Sequence, residues 1–139
     1  AKAMSLVYEN LEENNKKTIE LSNYFINKIQ KDIQGIKING DLINRIPGNI
    51  SVSFDFIEAD NILQELDKRG IYVSTGSACT TGSLESSHVL KAIGLSDTIA
   101  HSTIRISIGK DNNKEEIHYT IKCVVEIVNN LRKLSPLYN

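Results

Sequence analysis

Apolar and polar side chains alternate along the stretch that decides the fold, Ile50-Ser-Val-Ser-Phe-Asp-Phe56. Apolar residues occupy every second position, and serine or aspartate fills the positions between them. This period of two is typical of a β-strand with one packed face and one polar face. The stretch Thr103-Ile-Arg-Ile-Ser-Ile108 repeats the pattern with three isoleucines. The two stretches therefore predict half-buried strands, and the pattern leaves the strand order open.

Helical spacing of apolar residues marks both ends of the chain. Near the start, spacings of three and four predict one long amphipathic helix through Met4, Val7, Leu11, Thr18, Leu21, Phe25 and Ile29. Gly35 is expected to end this helix before a short strand at Ile36–Ile38. Near the end, Asn113 is expected to cap a helix whose buried stripe is Ile117, Ile121, Val124, Val128 and Leu131.

Shorter elements are predicted in the middle of the chain. Asp60 can cap a helix that Gly70 ends, and Ile71–Val73 then predicts a strand. A further helix is expected to begin near Ser86 and Ser87, to end at Gly94, and to carry Val89, Leu90 and Ile93 inward. This order of elements favours an α+β domain, with a small, mostly antiparallel sheet and helices packed on one face.

Composition narrows the class of protein. The 139 residues suit one domain, and 16 Lys and Arg nearly balance 17 Asp and Glu, so no bulk charge favours nucleic acid or an acidic membrane. No apolar run approaches the roughly 20 residues that span a bilayer. Cys79 and Cys123 give no disulfide framework, and no metal site is predicted. We expect a cytoplasmic protein in which both cysteines are thiols.

One cysteine lies in a loop whose composition suits chemistry, within Tyr72-Val-Ser-Thr-Gly-Ser-Ala-Cys-Thr-Thr-Gly-Ser-Leu-Glu85. Small, hydroxylated and glycine residues surround Cys79, whereas a structural cysteine usually packs in an apolar core. A thiolate is a nucleophile, and the N-terminus of the following helix would favour the thiolate if the loop folded back onto it. The glycines would let the loop move between sites. From composition alone, an ordinary surface loop is an equal alternative.

Two runs of residues around this cysteine carry a resemblance. They are Ser74-Thr-Gly-Ser-Ala-Cys-Thr-Thr-Gly-Ser-Leu-Glu-Ser-Ser-His-Val-Leu90 and Ala100-His-Ser-Thr-Ile-Arg-Ile-Ser-Ile-Gly109. Further matches lie in Ile38-Asn-Gly-Asp-Leu42, Asn49-Ile-Ser-Val-Ser-Phe54 and Leu131-Arg-Lys-Leu-Ser-Pro-Leu137. Together they resemble the C-terminal part of the NifS/IscS-type cysteine desulfurases over nearly the whole chain.

The resemblance implies an enzyme of the class V aminotransferase type that uses pyridoxal phosphate (PLP) and L-cysteine. It places the nucleophile on Cys79, which would take sulfur from the substrate as a persulfide while alanine is released. It places α-carboxylate binding on Arg105, a role that suits a guanidinium group. From the residues alone, a surface ion pair is the simpler reading of Arg105. His88, His101 and Cys123 are expected to be structural.

The resemblance also implies that a domain lies elsewhere. The family binds PLP through a lysine imine on a large domain that has no counterpart in this chain. We therefore expect residues 1–139 to be the C-terminal small domain, beginning within the long interdomain helix, with no PLP bound and no desulfurase activity alone. The complete protein would be a homodimer that passes sulfur to an iron–sulfur scaffold or a tRNA-thiolation enzyme.

One residue departs from the family pattern, and two other functions also suit the sequence. Leu84-Glu-Ser-Ser87 has Ser86 where the family commonly has proline, so the loop is expected to order less readily. The chain would otherwise suit a stand-alone carrier that receives a persulfide on Cys79. It would also suit a PLP-independent thiol transferase or hydrolase, which requires His88 or His101 within about 3 Å of the Cys79 thiol.

Overall fold

The computed structural model describes residues 2–76, 86–135 and 138, in which helices surround one small sheet. The helices of this part are α1 (Lys2–Glu9), α2 (Leu11–Asp32), α3 (Ala59–Asp67), α4 (His88–Ala92), α5 (Asp97–His101) and α6 (Lys114–Leu134). The strands are β1 (Ile36–Ile38), β2 (Asn49–Phe54), β3 (Ser74–Thr75) and β4 (Thr103–Ser107). The strands predicted from alternating side chains are thus β2 and β4.

The strands form an antiparallel sheet in the order β1-β2-β4-β3. In its central pair, Ile50 of β2 faces Ile106 of β4, and Val52 faces Ile104. Facing residues of an antiparallel pair point to the same side, so the apolar positions of both strands share one face. The predicted α+β fold with a small antiparallel sheet is confirmed.

The apolar face of the sheet packs against α2, α3 and α6 to form the core. Side chains with no solvent exposure come from both layers and include Phe25, Phe54, Ile62, Ile104 and Val124. Each side chain of this kind contributes about 1.5–3 kcal/mol when it is fully buried. The core therefore holds the sheet rigidly from one side and leaves its polar side available for a site.

The polar face of the sheet is partly covered, because α5 lies across it. Ser53 and Thr103 are buried there, with their hydroxyl oxygens 2.7 Å apart. Thr103 Oγ1 donates to the carbonyl of Ile99 in α5 at 2.7 Å. The side-chain amide of Asn39 donates to Ser53 Oγ at 2.8 Å. The sequence pattern predicts this polar face but not α5, which buries part of it.

The helix predicted at the start of the chain is interrupted, so the prediction of one long helix is wrong. Asn10 separates α1 from α2 with φ of −128° and ψ of 19°. Met4 and Val7, which the pattern placed on the apolar side, are 62% and 54% exposed. Among the described residues of α1 and α2, only the apolar stripe of α2 is buried in the core. Gly35 follows α2 with φ of 60°.

Two strand boundaries also differ from the prediction. β2 ends at Phe54 because Phe56 adopts φ of 67° and leaves the sheet. The strand predicted at Ile71–Val73 is not formed there; β3 begins at the following residue, Ser74. The Ile71 amide donates to the carbonyl of Leu66 at 3.0 Å, so the end of α3 holds this segment away from the sheet.

Helix ends were predicted with mixed success. The Asn113 cap of α6 is confirmed, since its side chain accepts from the Glu116 amide at 2.9 Å and the Glu116 carboxylate accepts from the Asn113 amide at 3.1 Å. Asp60 lies inside the first turn of α3 rather than at its cap. In α4, Leu90 is buried as predicted, but Val89 and Ile93 are about half exposed because a helix of five residues buries only one side.

Candidate functional site

A row of polar residues crosses the sheet and forms the floor of the candidate site. The backbone amide of Asn39 donates to the Ser51 carbonyl at 2.9 Å. Ser51 in turn faces Arg105 across the sheet, and Ser74 faces Arg105 from the next strand. Residues that face one another in this way point to the same side of the sheet. Asn39, Ser51, Arg105 and Ser74 therefore share the polar face.

A cleft of about 470 Å³ opens above this row. Arg105 and Ser51 line it from the sheet, Arg45 lines it from the loop after β1, and Leu90 lines it from α4. Arg105 is exposed, and no salt bridge involves it within the described residues. The guanidinium group predicted to bind a carboxylate therefore stands in a concave site, with its charge available to a ligand.

The loop that carries the predicted nucleophile leaves the cleft at Gly76. The Gly76 amide donates to the Thr103 carbonyl at 3.1 Å, which fixes this position against β4. A Cβ atom on Gly76 would lie 2.6 Å from Leu90 Cδ1, closer than two such atoms can approach. The Leu90 side chain would therefore have to turn aside to admit any side chain at position 76, which shows how closely α4 packs against this position.

On the other side of residues 77–85, Ser87 lines the cleft, and its neighbour Ser86 is anchored to α5. The Ser86 hydroxyl donates to the Asp97 carboxylate, and Lys91 Nζ lies 2.8 Å from the same carboxylate oxygen. The hydrogen bond from Lys91, followed by that from Ser86, lowers the pKa of Asp97. Ser86 therefore ties the segment that precedes α4 to α5 through its side chain.

The other predicted site residues are distributed as follows. Cys79 lies in residues 77–85, outside the described part of the chain, so its predicted position stays a prediction. His88 is exposed at the start of α4, and His101 is exposed at the end of α5. Cys123 is 4% exposed within α6, which confirms it as a buried helix residue.

Sequence reasoning missed the part of the cleft formed by Asn39 and Arg45. Asn39 lies within the run Ile38–Leu42 that resembles the family and Arg45 three residues after it, but neither stands in a recognisable catalytic pattern. Their contribution depends on the loop after β1 folding back over the sheet, which no local signal in the sequence indicates.

The described residues form no cluster of metal ligands and no membrane-spanning helix. Within residues 2–76, 86–135 and 138, no group of three or more His, Cys, Asp or Glu side chains is arranged to hold a metal ion. The helices formed by the same residues include none that is long and apolar enough to span a bilayer.

Comparison with known sequences gives a consistent family. The sequence model of the aminotransferase class-V family matches residues 1–120. A curated cysteine desulfurase IscS from Dictyoglomus turgidum is 41% identical over 135 residues, which are 97% of this chain and 34% of that protein. Another, from Aeromonas salmonicida, is 48% identical over 108 residues, which are 78% of this chain and 26% of that protein.

Solved structures agree with the sequence matches. A structure described as a NifS-like protein superposes with a TM-score of 0.80 and 33% identity, covering 94% of this chain and 32% of that chain. A NifS-like protein from Rickettsia africae superposes with a TM-score of 0.77 and 27% identity, covering 89% and 31%. The chain thus spans about a third of the length of the relatives that it matches most fully.

Proposed function

Because this chain belongs to the aminotransferase class-V family, we propose that it forms part of a PLP-dependent cysteine desulfurase. Its curated relatives carry that name, and this chain matches 34% and 26% of the length of the two described above. We propose that residues 1–139 are the small domain of the complete protein. In this role they would supply Cys79 as the sulfur acceptor and Arg105 as the group that binds the substrate's α-carboxylate.

The observation that carries this proposal is the meeting of three features at one cleft. Gly76 and Ser87, which flank the loop of Cys79, line the same cleft as Arg105. Cys79 is the third residue after Gly76, and a chain extends at most about 3.6 Å per residue, so its backbone is tethered within about 11 Å of Gly76. A substrate whose carboxylate sits on Arg105 would therefore be within reach of the thiol.

The cleft does not by itself suit PLP. Its lining residues in the described part of the chain include no lysine for an imine and no aromatic ring for stacking. When bound in such enzymes, PLP supplies the electron sink for the reaction at the substrate carbon. We assign its binding to another part of the complete protein, and we propose that residues 1–139 alone bind no PLP and release no alanine.

The groups of this chain have defined tasks in the proposed reaction. Arg105 would orient L-cysteine by holding its carboxylate, because a guanidinium group and a carboxylate form paired, charge-assisted hydrogen bonds. The Cys79 thiolate would attack the substrate sulfur, forming an S–S bond as the C–S bond breaks and its electron pair returns to carbon. Protonation of that carbon gives alanine, and the sulfur stays on Cys79 as a persulfide.

We further propose the destination of the sulfur and the setting of the enzyme. A persulfide on Cys79, between two residues that line the cleft, Gly76 and Ser87, would suit delivery to an acceptor protein, such as an iron–sulfur scaffold or a tRNA-thiolation enzyme. We also propose that the complete protein is a cytoplasmic homodimer. The near balance of charge, with a formal net charge of −1, favours a protein acceptor over direct nucleic-acid binding.

Alanine production by the complete protein tests this function. With PLP and L-cysteine, we expect sustained alanine release that Cys79→Ser abolishes and Cys123→Ser leaves intact, because Cys123 is buried in α6. Arg105→Ala should raise KM for L-cysteine by about 10- to 100-fold, the loss expected for hydrogen bonds to a charged group. Full activity in Cys79→Ser would contradict the proposed role of this residue.

A further inference from the structure

The buried polar atoms that lack a hydrogen-bond partner lie together at one corner of the cleft. Within the described residues they are Asn39 Oδ1 and Arg45 Nη1, and both residues line the cleft that contains Arg105. Asn39 is only 3% exposed. Buried polar groups in native proteins are nearly always paired. Of these two atoms, Arg45 Nη1 is a donor that an anion could satisfy, whereas Asn39 Oδ1 can only accept.

Arg45 is held in this corner by neutral groups. Its Nε donates to the Asp41 carbonyl at 2.8 Å, and its Nη2 donates to the Asn39 carbonyl at 2.6 Å. Asp41 also lines the cleft and its carboxylate interacts electrostatically with Arg45, but it accepts its hydrogen bonds from the amides of Asn44 and Ile43 at 2.6 and 2.7 Å. These bonds, that from Asn44 first, lower the pKa of Asp41. Arg45 is thus oriented without an ion pair in the described part of the chain.

The register of the sheet places this second guanidinium group beside the first. Arg45 is bonded to Asn39, and Asn39, Ser51 and Arg105 form consecutive members of the row across the sheet. Two interstrand spacings separate Asn39 from Arg105, or about 10 Å between backbones. Two arginine side chains that approach from the ends of this interval can meet one small anion between them.

We propose that Arg45 is a second anion-binding residue of the cleft and that the ligand's carboxylate is held between Arg45 and Arg105. The inference deepens the proposed function, on which it rests for the identity of the ligand as an amino acid. Arg45 Nη1 is shielded from solvent as the side chain stands, so binding requires the guanidinium group to turn toward the cleft.

Binding of propionate to the complete protein tests the proposal without any turnover. The signals of the arginine guanidinium groups are followed by NMR as propionate is added, first in the unsubstituted protein. We expect both Arg45 and Arg105 to shift with one common dissociation constant. Arg45→Gln should weaken propionate binding at least tenfold, and Arg45→Lys, which keeps the charge, should weaken it less.

A matched control and a kinetic measurement separate binding from folding. Lys122→Gln removes the same charge from an exposed position on α6, across the sheet from the cleft, and should leave the affinity unchanged. In turnover, Arg45→Gln should raise KM for L-cysteine with kcat nearly kept, while Arg45→Lys should recover part of the affinity.

The outcomes distinguish the two proposals. If Arg45→Gln leaves propionate affinity unchanged while Arg105→Ala abolishes it, Arg45 is not an anion-binding residue and the proposed function stands. If neither substitution affects propionate, the carboxylate role of Arg105 is wrong as well. If Lys122→Gln weakens binding as much as Arg45→Gln, the effect is one of net charge and the inference is overturned.

Discussion

At the scale of single residues, glycines fix the loop that shapes the cleft. Gly48 begins the approach to β2 with φ of 81°, and its carbonyl accepts from the Ile108 amide at 2.8 Å. A Cβ atom at this position would lie 2.2 Å from the Ile108 carbonyl oxygen, which belongs to the backbone and cannot step aside. The end of the Arg45 loop is therefore fixed against β4 by the absence of a side chain.

Replacing this glycine should cost more than the strain of a positive φ alone. Gly48→Ala should lower the free energy of unfolding by about 3 kcal/mol or more, from backbone strain together with the clash. Gly94→Ala is the matched control, because Gly94 has φ of 87° with no atom within 4 Å of the added Cβ, and it should cost about 1 kcal/mol. Urea denaturation of both variants measures the difference, and equal losses would show that the clash is relieved.

At the scale of elements, the polar contact between β2 and β4 couples the sheet to α5. The Ser53 and Thr103 hydroxyls are buried and bonded to each other, and Thr103 also reaches the Ile99 carbonyl. Removal of one hydroxyl leaves the other with one partner fewer in a region without solvent. The two side chains should therefore act as a unit that places α5, and with it the anchor of the loop, on the sheet.

A double-mutant cycle measures this unit. Ser53→Ala, Thr103→Val and the double variant should give a coupling of about 0.5–1.5 kcal/mol in the free energy of unfolding. Ser107→Ala provides the control, because Ser107 is exposed further along β4 and should combine additively with Ser53→Ala. Additivity of the Ser53 and Thr103 substitutions would mean that their hydrogen bond contributes nothing to stability.

The anchor between Ser86 and Asp97 should be visible as a titration. The pKa of Asp97 is lowered in the folded chain, by Lys91 first and then by Ser86, so its contribution to stability is present above the unfolded pKa, about 3.9. That contribution is lost as pH falls through the lower, folded pKa. In Ser86→Ala the pKa of Asp97 should rise toward its ordinary value, which carboxyl NMR can follow. An unchanged pKa would show that Ser86 does not hold the carboxylate.

At the scale of the molecule, one face of the sheet packs against the core helices and the opposite face lines the cleft. Aliphatic and aromatic residues of β2 and β4 join α2, α3 and α6 in the core, whereas Arg105 and its neighbours face the cleft. This division explains why the same two strands both hold the fold and display the site. Their alternating residues carry the two roles on opposite faces.

The same division shows how much could be predicted from the sequence. The strands β2 and β4, the cap at Asn113 and the place of Arg105 on the polar face follow from local patterns of side chains, and the structure agrees. α5 was missed because five residues give too little periodicity, and the Arg45 corner was missed because it depends on a loop folding back across the sheet. The strand expected at Ile71–Val73 failed because the turn at the end of α3 holds that segment.

The most direct test of the central claim is to locate the sulfur. The complete protein, loaded with PLP, is given L-cysteine under single-turnover conditions, and its peptides are analysed by mass spectrometry. We expect one extra sulfur on the peptide that contains Cys79, none on the peptide that contains Cys123, and one alanine released for each sulfur retained. Alanine released without sulfur on Cys79, or sulfur found on Cys123 instead, would contradict the assignment of Cys79 as the sulfur acceptor.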